Sequence, residues 1–268
     1  MTTTHRLTAV FEREFATVIR TRVYGVVGVG FVATVVALGL VGGVSGYVGA
    51  ILNLLTPLAV LLPVFCAALG YRSLLTDRES GEADVLRTFA LPRWAYVGGV
   101  LLARLTVVVL IVLLALVVVG VAVPLFSRGS SEFLLRRTTY NGPLLFVRFS
   151  VLTAIATAVF FTAVTAVSAA ASRSRRALAL GVLLVVAFTV GLDLVIVAGI
   201  ATDVFTPDLL PWLLALSPVS AYRGLVLALV VEPATASSLQ AGSAFANSLG
   251  LVGWFAGSLA AATKLVWT

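Results

Sequence analysis

The chain has 268 residues, 60% hydrophobic and 11% charged, with a net charge of +7. A water-soluble domain carries roughly 25% charged residues, so a single aqueous core is excluded and lipid is the expected solvent. Seventeen of the 18 basic residues are Arg, placed at the ends of apolar runs as membrane topology demands; no basic stripe with interleaved aromatics exists, so no nucleic-acid partner is expected.

Residues 5–22 read "HRLTAVFEREFATVIRTR". Leu7, Val10, Phe11, Phe15, Val18 and Ile19 recur at helical spacing, and Arg6, Glu12, Arg13, Glu14, Arg20 and Arg22 take most other positions. The pattern predicts an amphipathic helix in the interface plane; the alternative is a helix packed against its own bundle. The first apolar run begins only after Glu12 and Glu14 and is too long for the core of a cleavable signal peptide. It is expected to remain as a membrane helix.

A span needs about 20 apolar residues. Six are predicted, at about 23–41, 51–75, 94–126, 144–171, 177–201 and 246–266. The third is long enough to tilt or to project beyond the bilayer. Pro57 and Pro63 predict a kink in the second. Gly42 with Gly46, and Gly253 with Gly257, match a spacing that lets helices approach closely, although chance explains such matches in a chain with 23 Gly. Residues 209–231 are apolar enough for a seventh span, but Pro211, Pro218, Arg223 and Gly224 break or burden a helix in lipid. They read as broken helices in an outer region, 204–245. With six spans, basic residues favour one side by twelve to five, which predicts both termini in the cytoplasm. The fold expected is an all-α integral membrane protein of one domain, 1–268.

Between the second and third spans, "RSLLTDRESGEADVLRTFALPR" gathers four acids and four bases within 22 residues. Ser80 can cap a helix with Glu82 and Asp84 in its first turn. Val85, Leu86 and Phe89 then share one face, and Pro92 ends the element. A plain solvated loop would need neither the apolar face nor the clustered charge, which suits docking to a partner.

"DRESGEADVLRTFALPRWAYVGG" resembles the signature of type-2 ABC transporter permeases, and the NosY-like subgroup in particular. The amino-terminal "FEREFATVIRTRVY" resembles that family's elbow helix, and "LSPVSAYRGLVLAL" its motif before the last span. The resemblance implies that Asp77, Arg78, Glu79 and Gly81 form a charged turn and that Glu82, Val85, Leu86 and Phe89 belong to a coupling helix seated in an ATPase subunit. Pro92 and Arg93 restart the chain into the third span. Pro218, Tyr222 and Arg223 fall on the outer motif. Ala83 and Asp84 depart from the family, which more often has Thr and Leu or Glu there.

A phosphate-cradling P-loop needs Gly-Lys-Ser/Thr, and the one Lys, Lys264, precedes Leu265. No cofactor is therefore expected on this chain; the resemblance implies that ATP and magnesium belong to a partner. The resemblance implies two ATPase subunits, a second permease copy and an optional extracytoplasmic accessory protein, in the cytoplasmic membrane, with export the expected direction. An intramembrane protease lacks a base, since His5 and Lys264 are terminal. An ion-coupled transporter would place ionisable groups near the midplane; Arg104 and Asp193 are the candidates, with Asp193 expected to pair with Arg148. A non-transporting anchor or sensor shares every motif. Cys66 alone gives no disulfide or metal site, and no copper path is expected.

Overall fold

In the computed structural model, which describes residues 3–41, 46–82, 92–126, 142–206, 209–235 and 243–266, the chain is helical with no strand among the described residues. Lipid explains this economy: a helix satisfies its backbone groups internally, and an open sheet edge does not.

Helix α1 (Thr3–Arg20) runs to Thr21, where α2 (Arg22–Val41) begins. There follow α3 (Tyr47–Gly70), a short α4 (Leu75–Glu79), α5 (Arg93–Phe126) and α6 (Pro143–Ala170). Next come α7 (Ser174–Ala201), α8 (Leu210–Leu216), α9 (Pro218–Val231) and α10 (Ala244–Leu265). Helices α2, α3, α5, α6, α7 and α10 are long and apolar enough to cross a membrane, matching the six predicted spans. Helix α3 runs unbroken through Pro57 and Pro63.

The paired helices α8 and α9 meet at a 116° bend, and packing shows on which side the chain emerges. Val10 of α1, Leu74 after α3, Ala169 near the end of α6 and Val266 after α10 lie in one buried cluster with Tyr96 and Val97 of α5. The beginnings and ends of these elements therefore meet at one end of the bundle, called here the terminal end. An odd number of crossings would carry Val266 to the other end. The bent pair therefore turns back toward the end from which it came, and among the described residues six helices are candidate spans.

Helix α6 is the hub. Its Thr153, Thr157, Thr162 and Thr165 are fully buried, and each donates its hydroxyl to the carbonyl four residues back, at 2.7–2.9 Å. That is how a hydroxyl avoids being stranded in apolar surroundings. Phe160 of α6 packs on Phe188 of α7, which meets Trp254 of α10 edge-on at 4.9 Å. Across the bundle, Phe31 of α2 stacks on Phe65 of α3 at 4.1 Å.

Helix α5 has 34 residues, about 51 Å at 1.5 Å per residue, well beyond a hydrocarbon core of about 30 Å. Its first turns carry α1. A Cβ on Gly99 would stand 2.7 Å from Val10, so only glycine lets the two helices come this close. Gly42 lies outside the described residues. A Cβ at Gly253 or Gly257 would meet nothing within 4 Å; these glycines face an open groove of about 650 Å³ shared with Trp212 and Trp254, so among the described residues no other helix is seated on them.

Candidate functional site

The charged segment leaves α3 through a turn at 71–74 and enters α4. Ser168 of α6 holds this entry, accepting at Oγ from the backbone N–H groups of Leu74 and Leu75 at 3.0 and 3.3 Å. Three consecutive residues then reach three separate parts of the bundle.

Asp77 is 5% exposed. One oxygen, Oδ2, accepts from Arg13 Nη2 of α1 at 2.8 Å and from the Tyr96 hydroxyl of α5 at 2.7 Å. Arg78 donates to the carbonyls of Ala169 and Ala171, where α6 ends, and of Leu265 and Val266, where α10 ends, all at 3.1–3.3 Å. The last carbonyls of a helix lack intrahelical donors and carry its negative dipole end; a guanidinium with a planar fork of donors is suited to serve two such ends at once. Glu79 does the converse. It accepts from the backbone N–H of Ser174 at 2.9 Å and from its hydroxyl at 3.0 Å, at the positive start of α7, and its other oxygen takes Arg72 at 2.8 Å. Asp-Arg-Glu thus joins α1, α5, α6, α7 and α10 through side chains matched in charge to what they meet.

Ser80 closes α4, donating to the Asp77 carbonyl at 3.3 Å, whereas the sequence placed it at the start of the next helix. Gly81 follows with φ +78°, a left-handed conformation that favours glycine. Val85, Leu86 and Phe89, the expected apolar face of a coupling helix, lie outside the described residues, as do Ala83 and Asp84. Pro92 accepts from the N–H groups of Ala95 and Tyr96 as α5 begins, and Arg93 donates to the Lys264 carbonyl at 3.5 Å.

A second charged contact lies beneath the first. Arg104 of α5 donates from Nε and Nη2 to Glu14 Oε2 at 3.1 and 2.9 Å, and Glu14 Oε1 accepts from Arg13 Nη2 at 2.9 Å. Glu14 is only 3% exposed. The charged positions of the amphipathic α1 therefore do not all face one way. Glu12, Arg20 and Arg22 do face outward, and Ile19 is exposed as well, but Glu14 turns into the bundle beside Val10 and Val18. Helix α1 packs along α5, the alternative weighed from sequence. Its acid meets a base that periodicity could not reveal, because Arg104 lies 90 residues away. Arg13 also reaches Glu82 at 3.1 Å. Partial burial opposes the charge on Arg13, but the Asp77 and Glu14 carboxylates outweigh it and raise the guanidinium pKa above its usual value.

At the opposite end, Ser217 caps α9, accepting from the Ser220 N–H at 3.3 Å, with Pro218 as the first helical residue. Tyr222 is fully buried and shares a hydrogen bond of 3.0 Å with Thr153 of α6. Trp254 Nε1 donates to the Leu216 carbonyl at 2.8 Å. The bend is therefore pinned on both sides, while Arg223 is exposed. Asp193 of α7 does not pair with Arg148. Its two oxygens take the Ser220 hydroxyl, at 2.8 and 2.9 Å, because α9 folds back against α7 and brings that hydroxyl to the carboxylate; Arg148 is exposed.

Tyr96, Ser168, Ser174 and the Glu14–Arg104 pair were missed from sequence. Each is an ordinary residue whose role depends on a partner far along the chain. Only Arg104, a base inside an apolar span, advertised the need for a counter-charge.

The family model described as ABC-2 family transporter protein matches residues 8–267. It defines the family and no subgroup within it. No curated protein matches the chain.

Proposed function

Since the chain belongs to the ABC-2 family of transporter proteins, as a multi-pass membrane permease associated with an ABC ATPase subunit, we propose how that permease is driven. The terminal end faces the cytoplasm, and residues 76–93 receive the stroke of the ATPase subunit. Two permease copies and two ATPase subunits form the working unit in the cytoplasmic membrane, and ATP closure opens a path outward for export. ATP and magnesium stay on the ATPase.

One observation carries this reading: Asp77, Arg78 and Glu79, at the start of that segment, are bonded to α1, α5, α7 and the ends of α6 and α10. A displacement of the segment is delivered to all of these at once. A solvated loop would move alone.

The test separates docking from transmission. In tagged complexes purified from membranes, Phe89→Asp is expected to lose the ATPase subunit while the permease still inserts. Asp77→Asn is expected to keep the ATPase but to lose coupling of its turnover to transport. Unchanged association in Phe89→Asp, or unchanged coupling in Asp77→Asn, refutes the scheme.

A further inference from the structure

Helix α2 enters the membrane beside two bases that no carboxylate of the described residues neutralises. Arg20 ends α1 and Arg22 begins α2, and both are exposed. The ion pairs among the described residues run through Arg13, Arg72 and Arg104 instead. The sequence has no acid between Glu14 and Asp77. Glu14 is turned inward onto Arg104, Asp77 is held by Arg13 and Tyr96, and the exposed Glu12 stands about 12 Å back along α1 from Arg20. The joint between α1 and α2 is therefore a patch of unopposed positive charge. With 20 residues, α2 is about 30 Å long, the thickness of the hydrocarbon, which sets Arg22 at one of its boundaries.

Directly inward from Arg22 an open groove of about 520 Å³ runs between α2 and α5. Tyr24, Gly25, Val29 and Val36 of α2 and Ile111 and Leu114 of α5 line it, with no charged residue. From Tyr24 to Val36 it follows α2 for about 18 Å, close to one leaflet, or half of a hydrocarbon core of about 30 Å. Arg22 precedes Val29 by seven residues, two helical turns, and so lies on the groove face; its side chain leans toward the amino terminus and out of the hydrocarbon. The two helices touch at Gly28, where a Cβ would stand 3.0 Å from Ile111, but a Cβ at Gly25 would meet nothing within 4 Å. Tyr24 donates its hydroxyl to the Leu69 carbonyl at 3.0 Å, which ties this wall of the groove to α3.

We propose that this groove binds one anionic phospholipid, with an acyl chain between α2 and α5 and the phosphate met by Arg20 and Arg22. Charge and length both select this occupant. The basic patch stands at the mouth, at headgroup depth, and the groove below it is apolar for the length of one chain. A second copy of the protein fits poorly. A symmetric contact through α2 would bring the same arginines together at the same depth, and the groove stops at Val36 while α2 continues to Val41. The site goes beyond the permease reading and does not rest on it.

The test uses the full chain in mild detergent and a phosphatidylglycerol carrying a photoactivatable diazirine midway along one acyl chain, with labelled peptides mapped by mass spectrometry. Saturable labelling within residues 24–36 or 110–114 is expected. Unlabelled phosphatidylglycerol should displace it at least about tenfold better than phosphatidylcholine of the same chains, at about fivefold for each arginine. Arg22→Gln should weaken binding by about fivefold and Arg22→Lys by less than about twofold. Arg20→Gln combined with Arg22→Gln should abolish the preference between the two lipids. Gly25→Phe fills the groove and should abolish labelling with both arginines intact. Gly30→Phe, whose Cβ also enters open space but lies outside the groove lining, should leave labelling unchanged, which separates a filled groove from a disturbed helix. Glycerophosphoglycerol, the headgroup without chains, should not compete. Absence of saturable labelling, equal displacement by the two lipids, or unchanged labelling in Gly25→Phe or in the double arginine variant overturns the proposal. So does equal loss in Gly30→Phe, or competition by the free headgroup, which would mark an anion site without the groove. If Gly25→Phe instead lowers self-association while labelling persists, a second copy is the occupant and the proposal fails.

Discussion

Replacing Glu14 by Gln tests whether α1 is held against α5 by charge. The substitution keeps size and shape. It removes the counter-charge of Arg104, whose Nε and Nη2 both bond the same Glu14 oxygen and whose side chain is only 11% exposed. Breaking one side of a buried pair costs about 3–5 kcal/mol, because the remaining charge is stranded. At about 1.4 kcal/mol per tenfold, the equilibrium for lifting α1 off α5 should shift by at least about a hundredfold. Hydrogen–deuterium exchange in nanodiscs reads this directly, as a matching loss of protection in the second half of α1. Arg104→Met should do the same in reverse by stranding Glu14, which keeps only Arg13 as a partner. Removing both charges with Glu14→Leu and Arg104→Met should restore protection to within about tenfold, since an apolar pair of similar volume often replaces a buried ion pair at little cost. Two silent single variants, or a double variant that loses the sum of the singles, would refute the argument.

Arg78→Lys keeps the charge but not the fork, so it cannot serve the ends of α6 and α10 together. A loss of about 1.5–3 kcal/mol of local stability is expected, visible as faster proteolysis within residues 76–93 while the spans remain protected. Tyr222→Phe should cost about 1 kcal/mol by removing the Thr153 contact, whereas Arg223→Ala, on the exposed side of the same helix, should stay within about 0.5 kcal/mol of the unaltered protein in reversible denaturant titrations.

Lipid makes a helical span easy to read. A run of apolar residues long enough to cross leaves the backbone one solution, and the six spans and the broken pair before the last follow from that constraint alone. The charged residues were harder. Asp77, Arg78 and Glu79 were visible as a cluster, but Arg78 and Glu79 are bonded to helix ends, the carbonyls of Ala169 and Leu265 and the N–H of Ser174, and Asp77 to Arg13 and Tyr96, 64 and 19 residues away. A helix terminus carries no distinctive residue type, so nothing in the sequence names it as the destination of a side chain. Glu14 shows the same limit differently. It occupies a helical position that looks solvent-facing until the packed helix beside it supplies Arg104. The bend was legible for a local reason, since Ser217 and Pro218 adjoin and stop one helix while starting another.

The Glu14–Arg104 contact also has a consequence for biogenesis. The acid emerges from the ribosome 90 residues before its base, and the Leu74 N–H waits 94 residues for Ser168. The amino-terminal helix therefore lacks its Arg104 contact until α5 has been made, with Arg13 alone to meet Glu14. The exit from the second crossing must wait for the fourth. A chaperone or insertase that shields this end during synthesis would meet a carboxylate paired with Arg13 alone, and a chain arrested before residue 104 would present it in that state.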